Sequence, residues 1–88
     1  MKEILLNAIA HYGADSQTFM LFEEMAELQK EICKSRRGED NRRFIADEIA
    51  DVEIMLAQMK IIYDCAELVE ERRGYKLRRL KERLGARC

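Results

Sequence analysis

The sequence contains no proline and no tryptophan, and its four glycines lie at positions 13, 38, 74 and 85. Proteins built from strands need frequent turns, and glycine and proline supply the backbone geometry of many of them. So few turn residues favour long helices whose ends are marked by glycine. The sequence therefore predicts an all-α fold.

Cysteine and histidine are also scarce. Cys33, Cys65 and Cys88 form no C-x-x-C pair, and the only histidine, His11, is interpreted as a helix-end residue rather than a metal ligand. The N-terminal segment does not resemble a secretory signal, because charged and polar residues interrupt its apolar run. We therefore expect reduced thiols and a cytoplasmic location.

Neither sign of charge dominates, since 16 lysines and arginines oppose 17 aspartates and glutamates and leave a net charge of -1. A nonspecific nucleic-acid binder carries a basic field, so we expect no nucleic acid as a partner. No apolar stretch approaches the roughly 20 residues that span a bilayer, so a membrane is not an expected partner either.

The length of 88 residues predicts a single domain over residues 1–88. A chain of this size buries only roughly 60% of the surface that its unfolded form exposes. A second chain would cover further apolar surface. We therefore expect a homodimer or a homotetramer.

Four helices are predicted, over about residues 2–12, 15–37, 41–63 and 64–85. Gly13 and Gly38 follow the first two helices, where glycine suits a left-handed C-terminal residue. The last three helices have polar N-cap candidates, namely Asp15 or Ser16, Asp40 or Asn41, and Asp64. Gly74 lies within the fourth helix and costs about 1 kcal/mol relative to alanine, so a break there is left open.

Apolar residues at helical spacing predict the face that each helix buries. The first helix would bury Ile4, Leu5, Ala8 and Ile9. The second would bury Phe19, Phe22, Met25, Ala26 and Ile32. An acidic strip beside Leu21 and Leu28 would line the border of the core, formed by Glu24, Glu27 and Glu31. The main stripe of the third comprises Ile45, Ile49, Val52, Leu56, Met59 and Tyr63, widened by Phe44, Met55 and Ile62.

Two acidic signatures place carboxylates three residues apart on the second and third helices. They are Glu24-Met-Ala-Glu27 and Glu48-Ile-Ala-Asp51. Residues at i and i+3 share one helix face, so two antiparallel helices would set the two pairs against each other. Glu48 falls inside the apolar stripe of its helix and Asp51 at its margin, where a charge is costly unless it is paired or metal-bound. The pattern indicates a site for a hard divalent cation.

Four carboxylates in one pocket require compensation, because two unit charges about 4 Å apart repel by roughly 4 kcal/mol at an effective dielectric of 20. Oxygen ligands alone suit Mg²⁺ or Mn²⁺ better than zinc. The absence of a Glu-x-x-His motif disfavours a di-iron bundle. The alternative is that these acids form surface pairs within a charged helical hairpin, for example Glu27 with Lys30.

The same residues resemble a known family. The segments that carry the likeness are Tyr12-Gly13, Gln17, Glu23-Glu24-Met-Ala-Glu27-Leu28, Arg37-Gly38 and Asp47-Glu48-Ile-Ala-Asp51-Val52. They look like the MazG-type nucleotide pyrophosphohydrolases, in which an E-E-x-x-E segment is followed by E-x-x-D. The likeness covers most of the chain, and it implies a MazG-like helical bundle of about four helices that is completed by oligomerisation.

The resemblance implies that Glu24, Glu27, Glu48 and Asp51 bind Mg²⁺ and carry out catalysis, with Glu23 supporting them. It also implies that a nucleoside triphosphate is cut between its α and β phosphates, with house-cleaning of unwanted nucleotides as the role. Magnesium would neutralise phosphate charge and lower the pKa of an attacking water, and a carboxylate would accept the proton. Which of the four is that base is left open.

A basic strip on the fourth helix is the predicted partner of the phosphates. It comprises Arg72, Lys76, Arg79 and Arg83, at spacings of four, three and four. Lys76 and Arg79 are the residues that we expect to bind phosphate. The alternative is that the strip complements the helix C-terminus and shields neighbouring leucines.

The substrate is open from sequence alone, and dUTP, dCTP or phosphoribosyl-ATP are alternatives to a broad triphosphate specificity. Gln17 and Phe19 begin the second helix, where an amide or a ring would meet a nucleobase, although Phe19 also fits a core position. A rival from another class is a noncatalytic helical interaction module, in which the acids serve salt bridges and assembly. That rival predicts no metal dependence.

Overall fold

The computed structural model describes residues 1–85, which form four helices and no strand. The helices are α1 (Lys2–Tyr12), α2 (Ala14–Arg36), α3 (Arg42–Ile62) and α4 (Ala66–Arg83). The all-α prediction is confirmed, and the helix bounds agree closely with those expected from the glycine positions. None of these helices combines the length and apolar character that a membrane crossing requires. Cys88, one of the three cysteines considered above, lies outside the described residues.

An antiparallel hairpin of α2 and α3 provides most of the packing. Leu21 of α2 and Met55 of α3 are its buried apolar side chains. Helix α1 packs against both arms and buries Leu5, whereas α4 packs against α3 alone and has no buried residue. The hairpin is therefore the part of the chain that can hold side chains of two helices in a fixed arrangement.

The turn between α1 and α2 is a single residue, Gly13, as the sequence predicted for the end of α1. Its φ of +90° is a conformation that side chains with a β-carbon rarely adopt. Helix α2 starts directly after it at Ala14, so Asp15 and Ser16 lie in the first turn and neither is the N-cap. That part of the prediction was wrong, because Gly13 itself occupies the N-cap position of α2, without a side-chain cap.

Asn41 occupies the predicted N-cap position of α3, but its side chain does not cap the helix. Its Nδ2 donates instead to the main-chain oxygen and to Oε1 of Glu31, both at 2.8 Å. Asn41 therefore ties the start of α3 to the end of α2. At the next turn Cys65, rather than the predicted Asp64, precedes α4, and Asp64 has a φ of +49°, which aspartate tolerates. Helix α4 continues unbroken through Gly74.

The buried face of α2 differs from the predicted one. Phe19, Phe22, Met25 and Ile32 are exposed, Phe19 by 64%, whereas Gln17, Leu21 and Glu31 are buried. On α3 the predicted stripe residues Ile49, Leu56 and Tyr63 are likewise exposed, and Met55 and Gln58 are buried. The physical reason is that each helix carries apolar residues around more of its circumference than one partner helix can cover. Periodicity identified the apolar arcs but not the part that faces the hairpin.

The chain leaves a large surface for its mass. Its accessible area is 7347 Å², whereas a compact 10.4 kDa monomer exposes about 5,400 Å². Its radius of gyration is 16.2 Å, against about 12 Å for a globular domain of this length. Within residues 1–85, Leu5, Leu21 and Met55 are the only buried apolar side chains. Broad apolar faces thus have no cover within one chain.

Candidate metal centre

Three carboxylates from the two arms of the hairpin meet near its middle. They belong to Glu24 on α2 and to Glu48 and Asp51 on α3, and one carboxylate oxygen from each lies within 4.8 Å of the other two. Glu24 and Glu48 are half-buried, and Asp51 is exposed, so the group opens to solvent on one side. The i, i+3 spacing of Glu48 and Asp51 aims both side chains at the same arm, as the sequence predicted.

Glu27, the fourth predicted ligand, is exposed and lies outside this group of three. It follows Glu24 by three residues on α2 and is not part of the group. Glu23, predicted to support the ligands, is also exposed. The structure therefore brings three of the four predicted ligands together, and the roles of Glu27 and Glu23 stay predictions.

The electrostatics of the group favour a bound positive charge. Burial, together with the neighbouring carboxylates of Asp51 and Glu48, raises the pKa of Glu24 to about 7. The buried Oε2 of Glu48 has no hydrogen-bond partner, an arrangement that is costly for a carboxylate oxygen. An oxygen-only donor set with an unsatisfied buried oxygen fits a hard cation such as Mg²⁺ or Mn²⁺.

Protein cations do not neutralise this group within residues 1–85. The two ion pairs formed by those residues are Lys34 with Glu31, at 3.3 Å, and Arg73 with Glu70. The pairing of Glu27 with Lys30, which the alternative interpretation of the acids requires, is therefore not formed in this part of the chain. The three carboxylates depend on a proton or an added cation.

Lys76 and Arg79, the predicted phosphate-binding residues, are exposed on α4. The guanidinium groups of Arg72 and Arg79 lie over the ring of Tyr75, at 4.7 and 5.8 Å from its centroid. Neither Lys76 nor Arg79 forms an ion pair with a carboxylate of the described residues. A single chain thus does not join the basic strip to the acidic group, and their role stays a prediction.

Gln17 is buried rather than presented to a nucleobase. Its Nε2 donates to Oε1 of Gln58 across the hairpin at 2.7 Å. Phe19 is exposed and packs edge-to-face on Phe22, with 6.2 Å between the ring centroids. Sequence analysis did not single out Gln58. The signal was present, because Gln58 follows Asp51 by seven residues and so lies on the same face of α3.

Comparison with known proteins assigns no family. No protein-family model matches the chain, and no match is found among curated proteins or solved structures. The function proposed below therefore rests on the three carboxylates and on the motif resemblance.

Magnesium should stabilise the folded protein, and the effect should depend on Glu48 and Asp51. A Mg²⁺ concentration ten times the dissociation constant contributes about 1.4 kcal/mol, which raises the Tm by about 5 to 10 °C for a domain of this size. Glu48→Gln and Asp51→Asn should each abolish this rise in thermal unfolding experiments. The matched control is Asp47→Asn, which changes an exposed acid next to Glu48 and should leave the Mg²⁺-dependent rise in Tm intact. An undiminished rise in both ligand variants would contradict the assignment.

In the metal-free protein, the free energy of unfolding should fall as the pH rises from about 5 to about 8. Glu24 has a pKa of about 7 in the folded protein and 4.5 as its ordinary value. Protonation of Glu24 therefore stabilises the folded protein fully at pH values below 4.5, and this stabilisation is lost as the pH rises through about 7. We expect a loss of about 1 to 2 kcal/mol, reduced by solvent screening of the half-buried side chain. Urea unfolding in the presence of a metal chelator measures this loss in the free energy of unfolding.

Glu24→Gln is the matched variant for this pH dependence, because it keeps the shape of the side chain and removes the titration. Glu31 does not interfere, since the hydrogen bond from Asn41 to its carboxylate and the nearby Lys34 shift its pKa downward, away from this range. An equal loss of stability in wild type and Glu24→Gln would show that another group is responsible.

Proposed function

We propose that the chain is a Mg²⁺-dependent nucleoside triphosphate pyrophosphohydrolase. It cleaves the bond between the α and β phosphates and yields a nucleoside monophosphate and pyrophosphate. The observation that carries the proposal is the opposition of Glu24 to Glu48 and Asp51, with a buried oxygen of Glu48 left without a partner. The resemblance of both acidic motifs to those of the MazG-type enzymes supplies the reaction.

Each carboxylate has a role in this proposal. Glu24, Glu48 and Asp51 would hold the cation, and because Asp51 is the exposed member, a triphosphate would approach from its side. A bound divalent cation supplies neutralisation of phosphate charge and a lower pKa for the attacking water. Glu27 follows Glu24 by one helical turn on α2 and is not part of the group, so we propose its carboxylate as the acceptor of the proton of that water.

A second copy of the chain completes the site in this proposal. The accessible area exceeds that of a compact monomer by about 2,000 Å², whereas a stable interface covers about 800 Å² per partner. An open apolar groove of about 510 Å³ runs along α4, lined in part by Leu68, Leu77 and Leu80. A homodimer that covers this groove together with the neighbouring apolar faces would reduce the excess surface, and a homotetramer would cover more.

Charge complementarity indicates what the partner contributes. From Arg72 to Arg83, α4 carries seven basic residues and one acidic residue, Glu82. The acidic group on the hairpin has no protein cation of its own chain within ion-pair distance among residues 1–85. Lys76 and Arg79 of the second copy would bring the positive charge that a triphosphate requires beside the cation.

Light scattering should therefore report a dimer or tetramer. Leu77→Asp combined with Leu80→Asp should dissociate it, because the charges would lie in an apolar interface without partners. The helical content of the single chain should persist, since both leucines are at least half exposed in it. The matched control, Leu80→Met, should keep the assembly. A wild-type protein that stays monomeric at micromolar concentrations would contradict the shared site.

Pyrophosphate release tests the reaction itself. A panel of canonical nucleoside triphosphates, dUTP, dCTP and phosphoribosyl-ATP is incubated with the protein, with and without Mg²⁺. We expect Mg²⁺-dependent release that Glu48→Gln reduces by more than about 100-fold, beyond the cost of losing a supporting residue, and that Asp47→Asn leaves intact. No release by folded, metal-loaded protein would favour the noncatalytic interaction module, for which the exposed apolar faces provide a surface.

A further inference from the structure

Polar residues recur every seventh position along the contact between α2 and α3. On α2 they are Gln17, Glu24 and Glu31. The polar residues that they meet on α3 are also spaced by seven. Asn41 lies seven residues before Glu48, and Asp51 lies seven residues before Gln58. Seven residues are about two helical turns, or about 10 Å along the axis. The acidic group is thus flanked on each side, two turns away, by another polar pair.

The pair on one side joins Gln17 to Gln58. These side chains are 6% and 3% exposed, and Nε2 of Gln17 donates to Oε1 of Gln58 at 2.7 Å. Leu21 and Met55, the next buried residues along each helix, are apolar. If either helix slid or rotated, the two buried amides would lose their mutual hydrogen bond, which is costly for buried polar groups. This pair therefore admits only one register of the two helices.

The pair on the other side joins Asn41 to Glu31, and it is also buried. Asn41 donates to both the carboxylate and the main-chain oxygen of Glu31. It holds the start of α3 at a fixed position along the axis of α2, close to the turn between the two helices. The two pairs thus fix the hairpin at its open end and at its closed end, with the acidic group between them.

A cation site needs such a constraint. Oxygen ligands of Mg²⁺ lie about 2.1 Å from the ion in a strict geometry, whereas a slide of one residue moves a side chain by about 1.5 Å and turns it by about 100°. Apolar contacts such as that of Leu21 resist sliding weakly, because one apolar surface packs on another in several registers. The negative charges of the three carboxylates oppose their approach.

We propose that Gln17 and Gln58 are positioning residues that, with Asn41 and Glu31, set the register in which Glu24 opposes Glu48 and Asp51. They touch neither the cation nor the substrate, and they raise cation affinity by holding its ligands in place. The inference rests on the proposed function only for the cation, because the register itself follows from the buried hydrogen bonds.

The first experiment compares single and double leucine variants, with Mn²⁺ alone as the probe. Gln17→Leu leaves the buried Oε1 of Gln58 without its donor and only the weak bond from Nε2 to Sδ of Met55 in place, so the Tm should fall. Gln17→Leu with Gln58→Leu replaces the pair by apolar side chains, so the Tm should recover. Affinity for Mn²⁺, measured by calorimetry on folded protein, should fall by at least about tenfold in both variants. An affinity that recovers with the Tm would overturn the inference.

The matched control is Leu5→Ala, which removes buried packing from α1 and leaves the α2–α3 contact intact. It should lower the Tm and keep the Mn²⁺ affinity of the folded protein within about twofold of wild type. The contrast separates positioning from general stability. A tenfold loss of affinity in this control would show that stability alone governs binding and would overturn the inference.

A second experiment measures the register without a metal. Spin labels are placed at Ser16→Cys and Arg43→Cys, exposed positions on the two arms, with the three native cysteines replaced by serine. Labelled chains are diluted with unlabelled chains so that pulsed electron paramagnetic resonance reads the distance within one chain. The leucine double variant should shift or broaden the distribution by about 3 Å or more, equivalent to a slide of about two residues.

The two experiments separate the failure of the inference from that of the proposed function. Wild-type protein that binds no Mn²⁺ contradicts the cation site, and the spin-label distances then decide the register by themselves. An unchanged distance distribution in the leucine double variant would overturn the positioning role, whether or not Mn²⁺ binds.

Discussion

The hydrogen bonds between buried polar side chains of α2 and α3 are the constraint on which the rest of the structure depends. Little apolar surface is buried in one chain, with Leu21 and Met55 as the buried apolar residues of this contact. A buried polar group that loses its partner costs about 1 to 3 kcal/mol, against a total stability of roughly 5 to 15 kcal/mol for a domain. The Gln17 pair and the Asn41 pair therefore weigh as much as the apolar contacts in selecting the arrangement of the hairpin.

The distribution of polarity is unusual for a small helical protein. Polar side chains share the inside of the hairpin with Leu21 and Met55, and large apolar ones such as Phe22 and Tyr63 lie on its outside. The first arrangement gathers carboxylates at one place, and the second leaves surface for another chain to cover. Because each apolar face is exposed in the single chain, assembly and site formation are coupled in the function that we propose.

The sequence predicted the helices well, because Gly13 and Gly38 mark the ends of α1 and α2 and because apolar spacing is a local property. It also predicted that Glu48 and Asp51 would face the other arm, since an i, i+3 pair shares one face whatever the tertiary fold. The buried face of α2 was not predictable in this way. Which apolar arc is covered depends on the partner helix. The contact of Asn41 was not predictable either, because its side chain donates hydrogen bonds to Glu31 instead of capping its own helix.

The seven-residue repeat of polar pairs also limits how the length of the hairpin can vary. Insertion of one residue between Gln17 and Glu24 would turn every preceding side chain of α2 by about 100° relative to those that follow, and would separate the amide pair from the carboxylates. An insertion of seven residues in both arms would instead add two turns and keep each pair opposed, with only about 20° of drift. The hairpin is thus modular in length, and its unit is two helical turns on each arm.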